Sequence, residues 1–411
     1  MQLPADFTSY TSALFGTARW QRFMEAFDEP PVTSVRFNPW KMKNIFPQKT
    51  PVPWCENAYW LNERPNFTLD PLFHAGVYYV QEAGSLFLDY VLRQTVFEPV
   101  LALDLCGAPG GKSTLMRAAL PKGSMLVSNE PDRRRANILL ENMLKQGHPD
   151  VLVTHNYPVD FAKTNWNFDV ILVDAPCSGE GLFRREESAV KEWSLSNVLY
   201  CQKRQRQILT DIWPCLRGGG LLIYSTCTFN TRENEENVRF ICEELGAEIV
   251  PIQINAQWPI TGSLLTGWNG PVYRFIPGIT QSEGLFLAVL RKKGISQQPP
   301  ILPGSARKHA QHNRLIHVLS DGIFKPEQKG KEFIPSAAEA LATRPPTSYP
   351  RVALTREQAL RYLHRESLVL PPHTPTGFVL VTYENQPLGF VKNVGSRANN
   401  LYPKNWAIRS L

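Results

Sequence analysis

From about residue 95 to 292 the chain alternates short apolar runs with longer amphipathic ones. "VLALDL" (100–105), "SMLVSNE" (124–130), "VLVTHN" (151–156), "FDVILVD" (168–174) and "GLLIYST" (220–226) read as strands, several ending on a polar residue. "KSTLMRAAL" (112–120), stopped by "PKG", and "NVLYCQKRQRQILTDIWPCL" (197–216), closed by "RGGG", read as helices between them. This order predicts an α/β fold: a mostly parallel sheet with helices on both faces. Ligands of such sheets sit at the carboxyl ends of strands, so the polar strand ends carry the functional information.

Outside this region the pattern changes. "GISQQPPILPGSA" (294–306) and "ATRPPTSYP" (342–350) are rich in proline and small polar residues and read as linkers. Four segments are expected: 1–94 as an N-terminal extension, 95–293 as the chemical domain, 294–349 as linker and middle segment, and 350–411 as a C-terminal unit. Within the extension, "FNPWKMKNIFPQKTPVPWCENAYWL" (37–61) interleaves aromatic and basic residues. Such a stretch either stacks single-stranded RNA or forms an irregular packing layer.

Charge adds to this division. The net charge is +7. Residues 1–290 hold 26 Lys+Arg against 30 Asp+Glu, whereas residues 291–411 hold 18 against 7. The positive excess therefore lies at the end of the chain, where it suits either a polyanion such as nucleic acid or simple solvation. No apolar run approaches a membrane span. "MQLPADFTSY" lacks the pattern of a secretory signal. The 7 cysteines show no close pairing, so reduced thiols in the cytoplasm are expected.

The stretch "DLCGAPGGKST" (104–114) ends like a phosphate loop, but the glycine that GxxxxGK[ST] requires is Cys106. Pro109 also removes a backbone donor. The turn is thus too short for a triphosphate and better suited to an amino-acid tail and a ribose. Glu130, at the end of the second strand, stands where an acid meets ribose hydroxyls.

Two later strands end in cysteine among small polar residues: "ILVDAPCSGEG" with Asp174 and Cys177, and "LIYSTCTFN" with Cys227. Cys55, Cys201, Cys215 and Cys242 read instead as ordinary packing cysteines. A thiolate beside an S-adenosylmethionine-like cofactor suits one reaction in particular. Carbon 5 of cytosine becomes nucleophilic only after a thiolate adds to carbon 6. An acid near ring nitrogen 3 favours that addition, and a base must later remove the carbon 5 proton. Asp174 is the candidate acid, with Cys177 or a water assisting elimination.

"DLCGAPGGKST", "DAPCSGEGLFRR" and "YSTCTFNTRENEENV" together resemble the motifs of the Sun-type RNA cytosine-5 methyltransferases, in the right order and at compatible spacing. Within that family the chain is most similar to the methyltransferase F branch, which acts on bacterial small-subunit ribosomal RNA. "VRFNPWK" and "YYVQEAGSLF" resemble the family's N-terminal segments, and "VGSRANNLYPKNWAIRS" its PUA-like RNA-binding end. The resemblance implies a Rossmann-like class I methyltransferase domain dependent on S-adenosyl-L-methionine, with an N-terminal α+β extension and a C-terminal PUA-like domain. It implies Cys227 as nucleophile, Cys177 in product release, and Asp174 at the target base and cofactor. Cys106, Gly107, Ala108, Pro109, Gly110, Gly111 and Lys112 would hold the methionine part, Glu130 the ribose, and Arg135 would match a family arginine. The family's adenine-contacting aspartate is replaced by Asn156, with Asp160 as the alternative. The family also more often has alanine where this chain has Gly107.

DNA cytosine-5 methyltransferases use the cysteine of a "PC" motif, which would select Cys177; the second cysteine in "TC" favours Cys227. The expected partner is ribosomal RNA or the small ribosomal subunit, bound by a cytoplasmic monomer with no membrane contact. Lys392, Arg397, Tyr402, Lys404, Trp406 and Arg409 are candidate RNA contacts. Transfer RNA methylation and a non-catalytic assembly role are the alternatives. Deleting residues 297–411 is expected to weaken RNA binding far more than cofactor binding.

Overall fold

A computed structural model describes residues 3–41, 45–47, 49–295, 301–330 and 332–410. Met42 to Asn44 and Gln48 of the aromatic–basic stretch, and Ser296 to Pro300 of the first linker, lie outside the described residues.

The chain opens with two helices, Ala5–Phe15 and Thr17–Glu25, joined at Gly16, whose φ of 71° suits only glycine well. A small antiparallel sheet follows: β1 (Thr33–Phe37), β2 (Lys49–Pro51), β3 (Ala58–Leu61) and β4 (Tyr78–Val80), in the order β2-β3-β1-β4. Several of the aromatic residues here pack inward, although Trp40 is exposed. Phe37 and Trp54 are buried, and Trp54 meets Trp60, Trp258 and Phe275 edge-on. Of the two readings of this stretch, these residues take the packing one.

Five parallel strands form the centre of the molecule: β5 (Leu101–Asp104), β6 (Met125–Asn129), β7 (Val151–Thr154), β8 (Phe168–Asp174) and β9 (Leu216–Thr226). β10 (Ala247–Ile249), β11 (Tyr273–Phe275), β12 (Leu285–Lys292) and β13 (Val318–Ser320) complete the sheet. Its path is β10-β12-β9-β8-β5-β6-β7-β13, with β11 beside β12. The chain leaves β5 towards β6 and β7 on one side and returns to β8 and β9 on the other. The switch point between β5 and β8 is where such sheets bind ligands.

Alternation along the strands divides the core. Ala102, Leu126, Val170, Leu172 and Ile223 face one layer. Leu101, Leu103, Val127, Ile171 and Tyr224 face the other, against Ile208, Leu209 and Ile212 of helix Leu195–Ile212. Each fully buried aliphatic side chain contributes roughly 1.5–3 kcal/mol.

The segment expected as a linker is partly structural. β13 pairs antiparallel with β7, and Ala306, Ala310 and Ile316 are buried in the same core layer as Leu101 and Ile171. After a hairpin of β14 (Glu327–Lys329) and β15 (Glu332–Ile334), the last sheet runs β16 (Arg351–Ala353), β17 (Gly377–Tyr383), β18 (Gln386–Asn393) and β19 (Ala398–Asn400). It is not a detached tail. Leu354, Leu363, Val379 and Val391 share one hydrophobic core with Val35, Phe37, Leu72 and Tyr78 of the N-terminal unit. Tyr402 and Trp406 are buried in that core, which corrects their expectation as candidate RNA contacts. Arg397, Lys404 and Arg409 are exposed, and Lys392 pairs with Glu332 at 2.5 Å. No helix among the described residues is long and apolar enough to cross a membrane.

Candidate active site

β5 ends at Asp104, and the chain turns through residues 105–110 into helix Gly111–Ala119. Gly110 makes the turn with φ 117°, and the Ala108–Pro109 bond is cis. The Gly107 N–H donates to the carbonyl of Asn129 at 2.7 Å, lashing the turn to the end of β6. A Cβ at Gly107 would lie 2.7 Å from Ser113 Oγ and 3.3 Å from that carbonyl. Ser113 Oγ donates to Asp104 Oδ2 at 2.5 Å. Asp104 Oδ1 is buried without a partner, and burial pushes this carboxyl up to about 7.

Glu130 is buried beneath the turn. It accepts from the N–H groups of Ala108 at 3.3 Å and Asp132 at 3.1 Å. Arg135 lies 3.6 Å from it and donates to the Ala108 carbonyl at 3.0 Å. Asn142 Nδ2 donates to the Pro109 carbonyl at 2.7 Å. Asn156, expected at the adenine, has both ends of its side chain engaged by the middle segment. Nδ2 donates to Leu315 O at 2.7 Å, and Oδ1 accepts from His317 N at 3.0 Å. Asp160 accepts from Tyr157 N at 2.9 Å. These partners lie some 160 residues on, where no local pattern announces them.

β8 and β9 are parallel neighbours with Asp174 opposite Ser225. Beyond their ends the two expected thiols meet: Cys177 Sγ and Cys227 Sγ are 3.3 Å apart. Asp174 Oδ1 accepts from Ser225 Oγ at 2.7 Å, and Oδ2 pairs with Lys112 Nζ at 2.9 Å. The glycine turn, β8 and β9 thus converge on one point. Burial works against the charge on Lys112, but Asp174 and the nearby Cys227 hold its pKa above the ordinary value. The hydrogen bond to Cys227, then burial, pushes the Cys177 thiol well above its usual range. Burial likewise keeps Cys106 a thiol. Cys55, Cys201 and Cys215 are buried and Cys242 is half-buried.

Residues 94–291 match the family 16S rRNA methyltransferase RsmB/F. Residues 3–83 match the N-terminal domain of 16S rRNA methyltransferase RsmF, and residues 349–408 the methyltransferase RsmF PUA domain. The ribosomal RNA small subunit methyltransferase F of Salmonella agona (strain SL483) is 30% identical over 461 residues, covering 97% of this chain and 95% of the relative. The chain belongs to the RsmF family of methyltransferases. The protein of the same name from Escherichia coli O7:K1 is 29% identical with the same coverage. Among solved structures, NSun6 from Pyrococcus horikoshii, determined with SFG, aligns with TM-score 0.60 at 20% identity, covering 71% of this chain and 98% of that one. A methyltransferase homologue from the same organism aligns at 0.58 and 24%, covering 71% and 100%. Both share the fold.

The methyl donor of the family is S-adenosylmethionine, and the residues at the switch point fit it. Its ammonium needs an acceptor, and Asp104 Oδ1 is a buried acceptor without one. Its ribose diol needs an acid, and each Glu130 oxygen retains a lone pair beyond the bonds already given. Its sulfonium needs no dedicated anion. The sequence reading missed Asp104 as a site residue, along with Ser113, Asn129 and Ser225. Asp104 was visible as an acid ending the first strand, whereas the other three signal only through the contacts they make.

Proposed function

We propose that this chain methylates carbon 5 of a specific cytosine in 16S ribosomal RNA, in the cytoplasm, through a covalent bond between Cys227 and carbon 6. The observation that carries this reading is the pair of thiols 3.3 Å apart, on adjacent strand ends beside Asp174. Two thiols serve no purpose in simple methyl transfer to nitrogen or oxygen. They do serve a reaction that must both form and break a carbon–sulfur bond.

Cys227 attacks because Cys177 keeps its proton. With Cys177 as the donor across the 3.3 Å contact between the sulfurs, its S–H would stabilise a thiolate on Cys227. Addition to carbon 6 forms a C–S bond and moves electron density to carbon 5, while Asp174, held by Lys112 and Ser225, bonds the base edge around nitrogen 3. The turn at 106–112, Asp104 and Glu130 would hold S-adenosylmethionine, which when bound would supply an electrophilic methyl group for carbon 5. A base then takes the carbon 5 proton, the C–S bond breaks, and its electron pair returns to sulfur. A water oriented by Cys177, which as a thiol cannot itself act as the base, takes that proton. The target must leave its stack, at a cost of a few kcal/mol that phosphate contacts elsewhere offset.

The test uses denaturing gels of protein incubated with small-subunit RNA and cofactor. Cys227→Ala should form no adduct and lose about 10⁴-fold or more of turnover. Cys177→Ala should accumulate adduct. An adduct in Cys227→Ala would overturn the assignment, and unchanged bisulfite maps from cells lacking the gene would overturn the reaction.

A further inference from the structure

Behind the thiols lie two carboxylates that the chemistry above does not use. Glu180 and Glu233 are both buried. No cation pairs with either among the described residues. Two anions buried together without a counter-ion destabilise a fold, so their placement calls for another reason. Burial and the neighbouring Glu180 push the Glu233 carboxyl up to about 7.

Their hydrogen bonds are reciprocal. Glu180 sits on the loop of Cys177 but holds the loop of Cys227. It accepts from Phe229 N at 2.5 Å, Asn230 N at 3.1 Å and Asn230 Nδ2 at 2.9 Å. Glu233 sits beyond Cys227 but holds the loop of Cys177. It accepts from Ser178 N at 3.0 Å and from Ser178 Oγ. Asn230 Nδ2 also reaches Glu233 at 2.8 Å and bridges the two carboxylates. Trp193 Nε1 at 3.0 Å and Gln205 Nε2 at 2.7 Å fix the outer sides. The Gly181 N–H donates to the Cys227 carbonyl at 2.6 Å, where a Cβ on Gly181 would collide.

We infer that Glu180 and Glu233 form a crossed clamp, each gripping the other cysteine's loop, that sets the distance between the two thiols. They are positioning residues, acting through Cys177 and Cys227. This rests on the reading of the reaction above for its effect on turnover, but not for its effect on thiol spacing. Loss of the clamp moves Cys177 away from the sulfur it must assist. Product release then slows while cofactor binding stays intact. A displacement of about 1 Å costs turnover roughly 100-fold.

Two measurements on the full chain test this in Glu233→Gln, Glu233→Ala and Glu180→Gln. The first is the rate at which diamide cross-links Cys177 to Cys227 without RNA, read by mass spectrometry. It should fall at least 10-fold in variants whose melting curves stay cooperative and whose cofactor affinity stays within 2-fold. The second is adduct accumulation with a small-subunit RNA transcript, using Cys177→Ala as reference. The Glu233 variants should accumulate adduct as Cys177→Ala does, with Glu233→Gln milder than Glu233→Ala. An unchanged cross-linking rate in folded variants overturns the clamp, as does absent adduct where Cys177→Ala shows it. Slowed cross-linking with no adduct even in Cys177→Ala supports the clamp and overturns the cytosine-5 reading instead.

Discussion

Gly107 and Ser113 are a matched pair. A methyl group at 107 would press on the Ser113 hydroxyl at 2.7 Å, and that hydroxyl holds Asp104. Gly107→Ala should therefore cost about 1–3 kcal/mol of stability, as overpacking does. Adding Ser113→Ala should recover part of it in a double-mutant cycle read by denaturant unfolding. Asp104 gives a pH signature. Its carboxyl is held near 7 by burial, and a bound ammonium would favour its ionised form. Cofactor affinity should accordingly rise with pH through about 7, and calorimetry should find that slope flattened in Asp104→Asn. At this scale most of the candidate site's chemistry was legible. The thiols, Asp174, Glu130 and the glycine turn all carry their chemistry in their own residue types. Asn156 was not legible in the same way, because a side-chain amide takes its role from whichever groups surround it.

The strands of the sheet were legible because a buried parallel strand must be apolar throughout. β13 was not. It has three residues, sits in a stretch framed by proline-rich sequence, and owes its conformation to β7. Asn156 is the pin between them. Asn156→Ala should leave the Leu315 carbonyl and the His317 N–H unpaired and lower stability by about 1–3 kcal/mol, measured as a shift in melting temperature. Unchanged melting with weakened cofactor binding would return Asn156 to the adenine. The same strand alters the truncation expected from sequence. Removing residues 297–411 strips Ala306, Ala310 and Ile316 from the core layer, so cofactor binding should fall together with RNA binding.

For the whole molecule, the first and last units are one body. The test of RNA binding by the basic end is therefore substitution rather than deletion. Replacing exposed Arg397, Lys404 and Arg409 with glutamine should lower the slope of log affinity against log salt by about 2, at roughly 0.7 per phosphate contact. Cofactor affinity and melting should stay unchanged. The N-terminal helices extend the same logic to the catalytic rim. Phe7, Phe15 and Phe23 pack with Phe183 and Phe229, which follow Cys177 and Cys227 respectively. Tyr10 meets Thr231 at 3.0 Å.

The shared core also sets an order of events during synthesis. Val35 and Phe37 leave the ribosome early, but Leu363, Val379 and Val391, which cover them, emerge more than 300 residues later. At about 5–20 residues per second, that apolar face waits roughly 15–65 s for its cover. The nascent enzyme thus carries a sticky surface for most of its own translation. A ribosome that stalls before the codon for Leu354 leaves the first sheet without the residues that cover it.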